Sequence, residues 1–224
     1  MSLRRILTLL LASIAVLPAQ VAHATNGDPP AGPNRVFTGD DLFRLAGATD
    51  PQISPDGTKV AYVRMSADIM SDREIAAIWL VDVATGQQTP LVAGKGAHRA
   101  PRWSPDGKRL AYVSSDGESA PQLNILWLDS GRSVKVTGLP DSPASLAWSP
   151  DGKSIAYTMR VPGEPVELGK SPAKPEGAKW ADPLEVIDRV TYRADGGGYA
   201  KPGFDHLFIV SADGGAPRQR AFGN

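Results

Sequence analysis

With 224 residues, 42% hydrophobic and 21% charged, the chain is neither disordered by composition nor fibrous, and it is long enough for a domain of ordinary size. Lys plus Arg and Asp plus Glu stand at 24 each, with no basic stripe interleaved with aromatics, which excludes the electrostatic footprint of a nucleic-acid binder. Cysteine is absent, which excludes disulfides, thiolate chemistry and a lipidated cysteine and leaves buried apolar surface to hold the fold.

The first 24 residues differ from the rest. Arg4 and Arg5 open the chain, Ile6 to Leu17 is an almost unbroken apolar run, and Ala22-His23-Ala24 has the small-x-small form that signal peptidase cuts. As a helix that run rises about 18 Å, too little for a hydrocarbon core of about 30 Å. The expectation is a signal peptide over 1–24 cleaved after Ala24, a periplasmic or secreted protein, and no membrane attachment once it is removed. Residues 25–50 form a leader: 25–33 are rich in Gly, Pro and Asn, and Thr38 with Asp41 makes a capping box before Leu42-Phe43-Arg44-Leu45. That predicts a short helix over Asp40 to Ala46, which either covers a sheet edge or clasps another domain.

From residue 51 the chain repeats itself. Ser-Pro-Asp-Gly stands at Ser54 to Gly57, Ser104 to Gly107 and Ser149 to Gly152, a period of about 45 to 50 residues. Ile53, Trp103 or Trp148 precedes each copy, and Val60-Ala61-Tyr62, Leu110-Ala111-Tyr112 or Ile155-Ala156-Tyr157 follows. Proline fixes φ for the second turn position, aspartate bonds its own backbone, and glycine takes the positive φ that leads into the next strand. Each copy is therefore a hairpin turn. The strand after it is apolar at consecutive positions, as a strand covered on both faces must be.

A third strand follows in each unit (Ile78 to Val83, Leu123 to Leu128, Leu207 to Val210), then a more polar fourth (Gln87 to Val92, Val134 to Thr137, Pro217 to Ala221). Four antiparallel strands per unit make a propeller blade, TolB-like or WD40-like, whereas a β-sandwich would lack such self-similarity. The expected fold class is all-β, a partial β-propeller of about three four-stranded antiparallel blades over 51–97, 98–142 and 143–224. Because propellers close with about 4 to 8 blades, further blades are expected beyond this sequence.

The third unit carries an insertion at 161–205. Its first half is rich in proline and lysine; its second half has Asp182-Pro183 as a helix start, then Val186-Ile187 and Val190-Thr191-Tyr192. Long loops on rigid scaffolds concentrate binding residues, so Tyr192, Arg193, Asp195 and Tyr199, grouped around Gly196 to Gly198, form the candidate substrate-binding set.

No catalytic set accompanies it. The G-x-S-x-G string of an α/β-hydrolase is absent. Ser54, Ser104 and Ser149, like Asp56, Asp106 and Asp151, are explained by their turns. His98, between units, and His206, at the start of a strand, lack a second histidine at metal-ligand spacing. Gly196 to Gly198 lack the lysine and helix of a phosphate loop. The sequence implies no catalytic residue, metal or cofactor.

The helix Asp40 to Ala46, Asp50-Pro51-Gln52-Ile53-Ser54-Pro55-Asp56-Gly57, the two Trp-Ser-Pro-Asp-Gly copies, and Tyr192-Arg193-Ala194-Asp195-Gly196 leading to His206-Leu207-Phe208 resemble one family. It is the prolyl oligopeptidase family of serine peptidases, in its acylaminoacyl-peptidase-like and dipeptidyl-aminopeptidase-like members. The resemblance implies a propeller that gates the approach of short peptides to an α/β-hydrolase domain, with the catalytic serine, aspartate and histidine in that domain rather than here. It also implies a peptide substrate and, as partners, the remaining blades and a C-terminal hydrolase domain. The Ser-Pro-Asp-Gly repeat is shared with the periplasmic protein TolB, so a non-enzymatic propeller acting through protein binding is the alternative. After Pro217-Arg218-Gln219, where the family pattern favours leucine and threonine, Arg220-Ala221 stands instead, as a truncated or frameshifted reading frame would leave it.

Overall fold

The computed structural model describes residues 36–94, 96–164, 169, 172–181, 186–187, 190–195 and 198–222. The expected signal peptide over 1–24, the leader up to residue 35, and the expected helix start at Asp182-Pro183 lie outside the described residues. Three antiparallel meanders follow a short helix. The first is β1 (Ala46–Ile53), β2 (Lys59–Asp68), β3 (Arg73–Asp82) and β4 (Gln88–Val92); the second is β5 (Ala97–Trp103), β6 (Arg109–Ser115), β7 (Gln122–Trp127) and β8 (Ser133–Lys135). In the third, β9 (Ala144–Trp148) and β10 (Ser154–Pro162) are separated from the last two strands by a hairpin of β11 (Arg193–Ala194) and β12 (Gly198–Tyr199). β13 (Gly203–Ser211) and β14 (Arg218–Gln219) complete it, in the order β14-β13-β10-β9. A single parallel bridge, Ala76 to Ala97, ties the first two meanders together.

The helix is shorter and tighter than the sequence suggests. It is a 3-10 turn over Gly39–Arg44, and β1 already begins at Ala46, so Ala46 to Asp50 belong to the first blade rather than to the leader. Asp41 accepts the Thr38 N–H at 2.8 Å, the reach-back bond of a capping box, and also the Thr38 hydroxyl at 3.0 Å.

The repeated turn has one hydrogen-bond pattern in all three blades. The serine hydroxyl donates to the aspartate Oδ1 at 2.6, 2.5 and 2.6 Å (Ser54, Ser104, Ser149). The serine Oγ in turn accepts the N–H of Lys59, Arg109 or Ser154 at 2.9 Å. Each aspartate Oδ1 also takes the N–H of Thr58, Lys108 or Lys153, and each glycine N–H returns to the serine carbonyl. Gly57, Gly107 and Gly152 close the turn at φ +72°, +68° and +66°, where a side chain would be strained. Serine and aspartate are thus consumed locally. The Ser54 hydroxyl first, then the Thr58 N–H and hydroxyl, hold the Asp56 carboxyl down at about 2; hydrogen bonds from Ser104 and Ser149 lower Asp106 and Asp151 in the same way.

Opposite each repeat tyrosine the first strand bulges. Asp50, Ala100 and Ser145 occupy the same place ahead of their turns and take φ of +49°, +53° and +52°. The ladder slips there, between Thr49 and Gln52, between Arg99 and Arg102, and between the partners of Ala156 and Thr158. None of the three is glycine, so the left-handed backbone is held by the blade and not by local preference.

The blades stack face to face and meet along their first strands, β5 packing against β1 and β9. Ala61 and Ile78 of the first blade pack against Leu110, Tyr112 and Leu126 of the second. On its other face the second blade presents Ala111, Val113, Leu123 and Ile125 to Ile155, Tyr157, Phe208 and Val210 of the third. The consecutive apolar run of β6 is buried throughout because a blade lies on either side of it. Two indoles fasten the junctions. Trp103 donates to the carbonyl of Gln52 at 2.9 Å, and Trp148 to that of Arg102 at 3.0 Å, each reaching back one blade. Arg102 pairs with Asp50 across the first junction at 2.8 Å. Arg109 stacks over Trp148 at 4.8 Å and donates to the Gly152 carbonyl across the second.

Candidate functional site

Antiparallel connectivity places the Ser-Pro-Asp-Gly turns at one end of the blades and the β2–β3, β6–β7 and β10–β13 connections at the other. The insertion is the β10–β13 connection, so its base lies at the end of the blade opposite the repeated carboxylates. The β10–β13 ladder runs without a break from Ser154–Ser211 to Pro162–Gly203, so the excursion itself spans 163–202 and His206 lies inside β13 rather than at its start. Gly203 holds the base of the excursion at φ +123°, where a Cβ would collide with the Val161 carbonyl. Arg160 donates to the Lys201 carbonyl just above.

At the far part of the insertion Arg193 pairs with Tyr199 and Ala194 with Gly198. The Ala200 N–H donates to the Tyr192 carbonyl at 2.7 Å and so closes the hairpin. Tyr192 and Tyr199 stack with ring centroids 6.2 Å apart and planes inclined by 30°, and the Arg193 guanidinium lies 5.8 Å from the centre of the Tyr199 ring. Three of the four candidate residues are therefore brought together. Asp195 sits in the exposed turn between the strands. Tyr192 is 43% exposed and Tyr199 49%, so the rings form an accessible platform flanked by a cation. Such a surface stacks on planar or apolar groups and attracts a carboxylate; it offers no nucleophile.

A groove of about 480 Å³ opens where the insertion leaves the blade, lined among others by Val161, Phe204, His206, Gln219 and Phe222. His206 Nδ1 donates to the Ala221 carbonyl at 3.0 Å, which fixes the tail against β13. His98 is a packing histidine. It is 9% exposed, its Nδ1 lies 3.0 Å from the Ser114 hydroxyl, its ring stands edge-on to Tyr112, and burial lowers its pKa.

The polar group that spans the first junction escaped the sequence reading: Asp50 accepts from both Arg102 and Gln52. A signal for it existed, because Gln52 and Arg102 stand at the same position before Ser54 and Ser104. The Asp50 that joins them, however, lies beside Gln52 and a whole blade away from Arg102.

Stacked four-stranded blades, each locked by the same turn and fastened to the last by an indole, define a β-propeller. Residues 46–167 match the TolB beta propeller domain, PD40, and the chain belongs to that family. It is 33% identical over 189 residues to the uncharacterized peptidase YuxL of Bacillus subtilis, covering 83% of this chain and 28% of that protein. It is 28% identical to dipeptidyl-peptidase 5 of Porphyromonas endodontalis, over 61% of this chain and 20% of that one. Among solved structures, an acylaminoacyl peptidase of Pyrococcus horikoshii superposes with a TM-score of 0.58 at 17% identity, over 80% of this chain and 26% of that one, which shows a shared propeller fold. The chain thus spans about a quarter of the length of these relatives. The relatives named here are peptidases, and among the described residues no helix is long and apolar enough to cross a membrane.

Proposed function

We propose that this chain is the substrate-gating propeller portion of an exported serine-type oligopeptidase, acylaminoacyl-peptidase-like or dipeptidyl-peptidase-like, whose catalytic groups lie in a hydrolase domain that this sequence does not contain. Export rests on the apolar, small-residue-terminated N-terminus. The observation that carries the rest is the Tyr192–Tyr199 platform with Arg193 beside it, displayed on an insertion at the end of the blades away from the turns. A peptide offers such a surface aromatic or aliphatic side chains to stack and a terminal carboxylate to pair with the guanidinium. Holding peptides there selects short, unfolded chains, since a folded protein presents few such groups together.

Titration of the chain with short blocked and free-amino oligopeptides, followed by tyrosine and tryptophan fluorescence, tests this reading. Saturable binding is expected, weakened about tenfold or more by Tyr192→Ala with Tyr199→Ala, a loss of about 1.4 kcal/mol or more. Hydrolysis of an aminoacyl nitroanilide by the chain alone would overturn the assignment of catalysis to another domain. Absence of peptide binding, together with tight binding of a folded protein, would favour the alternative that the TolB family match supports, a propeller acting through protein contacts.

A further inference from the structure

β13 sends its side chains alternately to the two sides of the third blade. Phe204, His206 and Phe208 pair with Val161, Met159 and Tyr157 of β10, on the side that packs against the second blade. Tyr157, Met159 and Phe208 are buried there, whereas Phe204, at the base of the insertion, is 49% exposed. The groove lined by Val161, Phe204 and His206 therefore opens on the inner side of the blade, just past the core that joins it to the second.

Its polar groups are nearly all acceptors. The Ala221 carbonyl takes the His206 Nδ1–H at 3.0 Å and an amide N–H of Gln219 at 2.8 Å. A carbonyl can only accept, so Nδ1 carries the proton, and Nε2 of the neutral ring is left as an acceptor. The Gln219 Oε1 is left likewise. Glu164, exposed on the rim, adds a carboxylate with no ion-pair partner among the described residues. Donors are scarce. Pro162 and Pro202 have no N–H, the Gly163 N–H is spent on the Pro202 carbonyl at 3.3 Å, and among the lining side chains one amide hydrogen of Gln219 remains.

An anion would meet a carboxylate and almost no donors here. A hydroxyl or an amide would leave the charge of Glu164 unmatched. A primary ammonium brings three N–H donors and the opposite charge, and a methylene stem behind it lies along Val161 and Phe204. The α-ammonium of a peptide suits the groove less well, because the carbonyl next to it needs a donor that the lining does not supply.

We propose that the groove at the base of the insertion binds a lysine side chain presented by a polypeptide, its ammonium held by Glu164, His206 Nε2 and Gln219 Oε1 and its stem by Val161 and Phe204. The Phe204 ring also offers a π face to the cation. The proposal rests on the groove alone and requires neither the Tyr192–Tyr199 platform nor a hydrolase domain.

Titration of the full chain with Nα-acetyl-lysine methylamide, followed by the nitrogen and proton NMR signals of the His206 ring, tests it. Saturable millimolar binding that moves Nε2 more than Nδ1 is expected, because only Nε2 gains a donor. Nα-acetyl-norleucine methylamide keeps the stem and lacks the ammonium; glycine methylamide has an α-ammonium and no stem. Each is expected to bind about fivefold more weakly or worse. Glu164→Gln and Gln219→Met are expected to weaken the lysine probe to a similar degree. Asp205→Asn, an exposed carboxylate of β13 turned to the other side of the blade, is expected to change nothing. Binding is expected to persist in the chain carrying Tyr192→Ala and Tyr199→Ala. Equal binding of the three probes, or unchanged affinity in both Glu164→Gln and Gln219→Met, overturns the proposal. Loss of binding in the double tyrosine variant overturns it too, by moving the lysine to the platform.

Discussion

The second and third blades share a turn, a bulge and a run of apolar strand residues, yet they differ in how completely their groups are satisfied. The second is covered on both faces, and its repeat tyrosine, Tyr112, is hydrogen-bonded with Ser133 at 2.7 Å. The third is covered on one, and its tyrosine hydroxyl is buried with no partner among the described residues. Register explains the difference. Tyr62 and Tyr112 find partners in Gln88 and Ser133, the residues opposite Val81 and Leu126 on the fourth strand. In the third blade Ile209 pairs with Arg218, and continuing that ladder sets Pro217 opposite Val210. Proline has no side-chain acceptor, so Tyr157, stacked on Phe208 at 5.6 Å, carries its hydroxyl into an apolar setting that pushes its pKa up to about 12. A repeat therefore transmits its backbone faithfully while leaving its polar pairing to whichever residue the adjoining strand supplies.

The contrast in covering predicts the largest effect. Ile125→Ala, at 0% exposure between two blades, is expected to cost about 2 to 5 kcal/mol in urea unfolding. Ile209→Ala, its counterpart on the open face, is expected to cost about 1 kcal/mol or less. Equal losses would mean that the outer face is already covered in solution.

The contrast in pairing predicts a smaller one. Tyr112→Phe removes a made hydrogen bond and is expected to destabilise by about 0.5 to 1.5 kcal/mol, whereas Tyr157→Phe removes an unsatisfied buried group and is expected to be neutral or stabilising. Pro217→Ser supplies the missing acceptor. Its effect is expected to couple to Tyr157 by about 1 kcal/mol in a double-mutant cycle and to vanish in the Tyr157→Phe background. Destabilisation by Tyr157→Phe as large as that by Tyr112→Phe would show that the hydroxyl has a partner after all.

The smallest effects concern protons. Burial holds His98 below its ordinary pKa of 6.5, so the unfolded chain binds that proton more readily. His98 therefore contributes nothing to pH dependence well above pH 6.5, and stability declines as pH falls below it until the folded pKa is passed. Asp56, lowered from 3.8 to about 2, works in the more acid range: its contribution is complete above 3.8 and is lost as pH falls through about 2. Asp106 and Asp151 act in the same direction. His98→Gln is expected to flatten the stability curve near pH 6 in denaturant titrations while leaving the acid limb in place, and Asp56→Asn to soften only the acid limb.

What was legible in the sequence is what a few consecutive residues decide. Ser-Pro-Asp-Gly closes its turn with bonds reaching no further than the residue after next beyond the glycine, so each copy announced a hairpin, and the apolar run behind it announced a strand covered on both faces. That Tyr192, Arg193 and Tyr199 share one glycine-containing loop was legible for the same reason, but the β11–β12 hairpin that pairs Arg193 with Tyr199 was not. The left-handed bulges at Asp50, Ala100 and Ser145 were not, because no glycine marks them and the stacked blade enforces them. Nor were the reach of Trp103 and Trp148 into the preceding blade, the Asp50–Arg102 pair, or the orphaned hydroxyl of Tyr157. By itself the sequence determined an all-β array of repeated four-stranded units. Tertiary structure alone decided how those units are joined and where one polar group goes unpaired, because these outcomes depend on partners some fifty residues away or on strand register, which local preference does not encode.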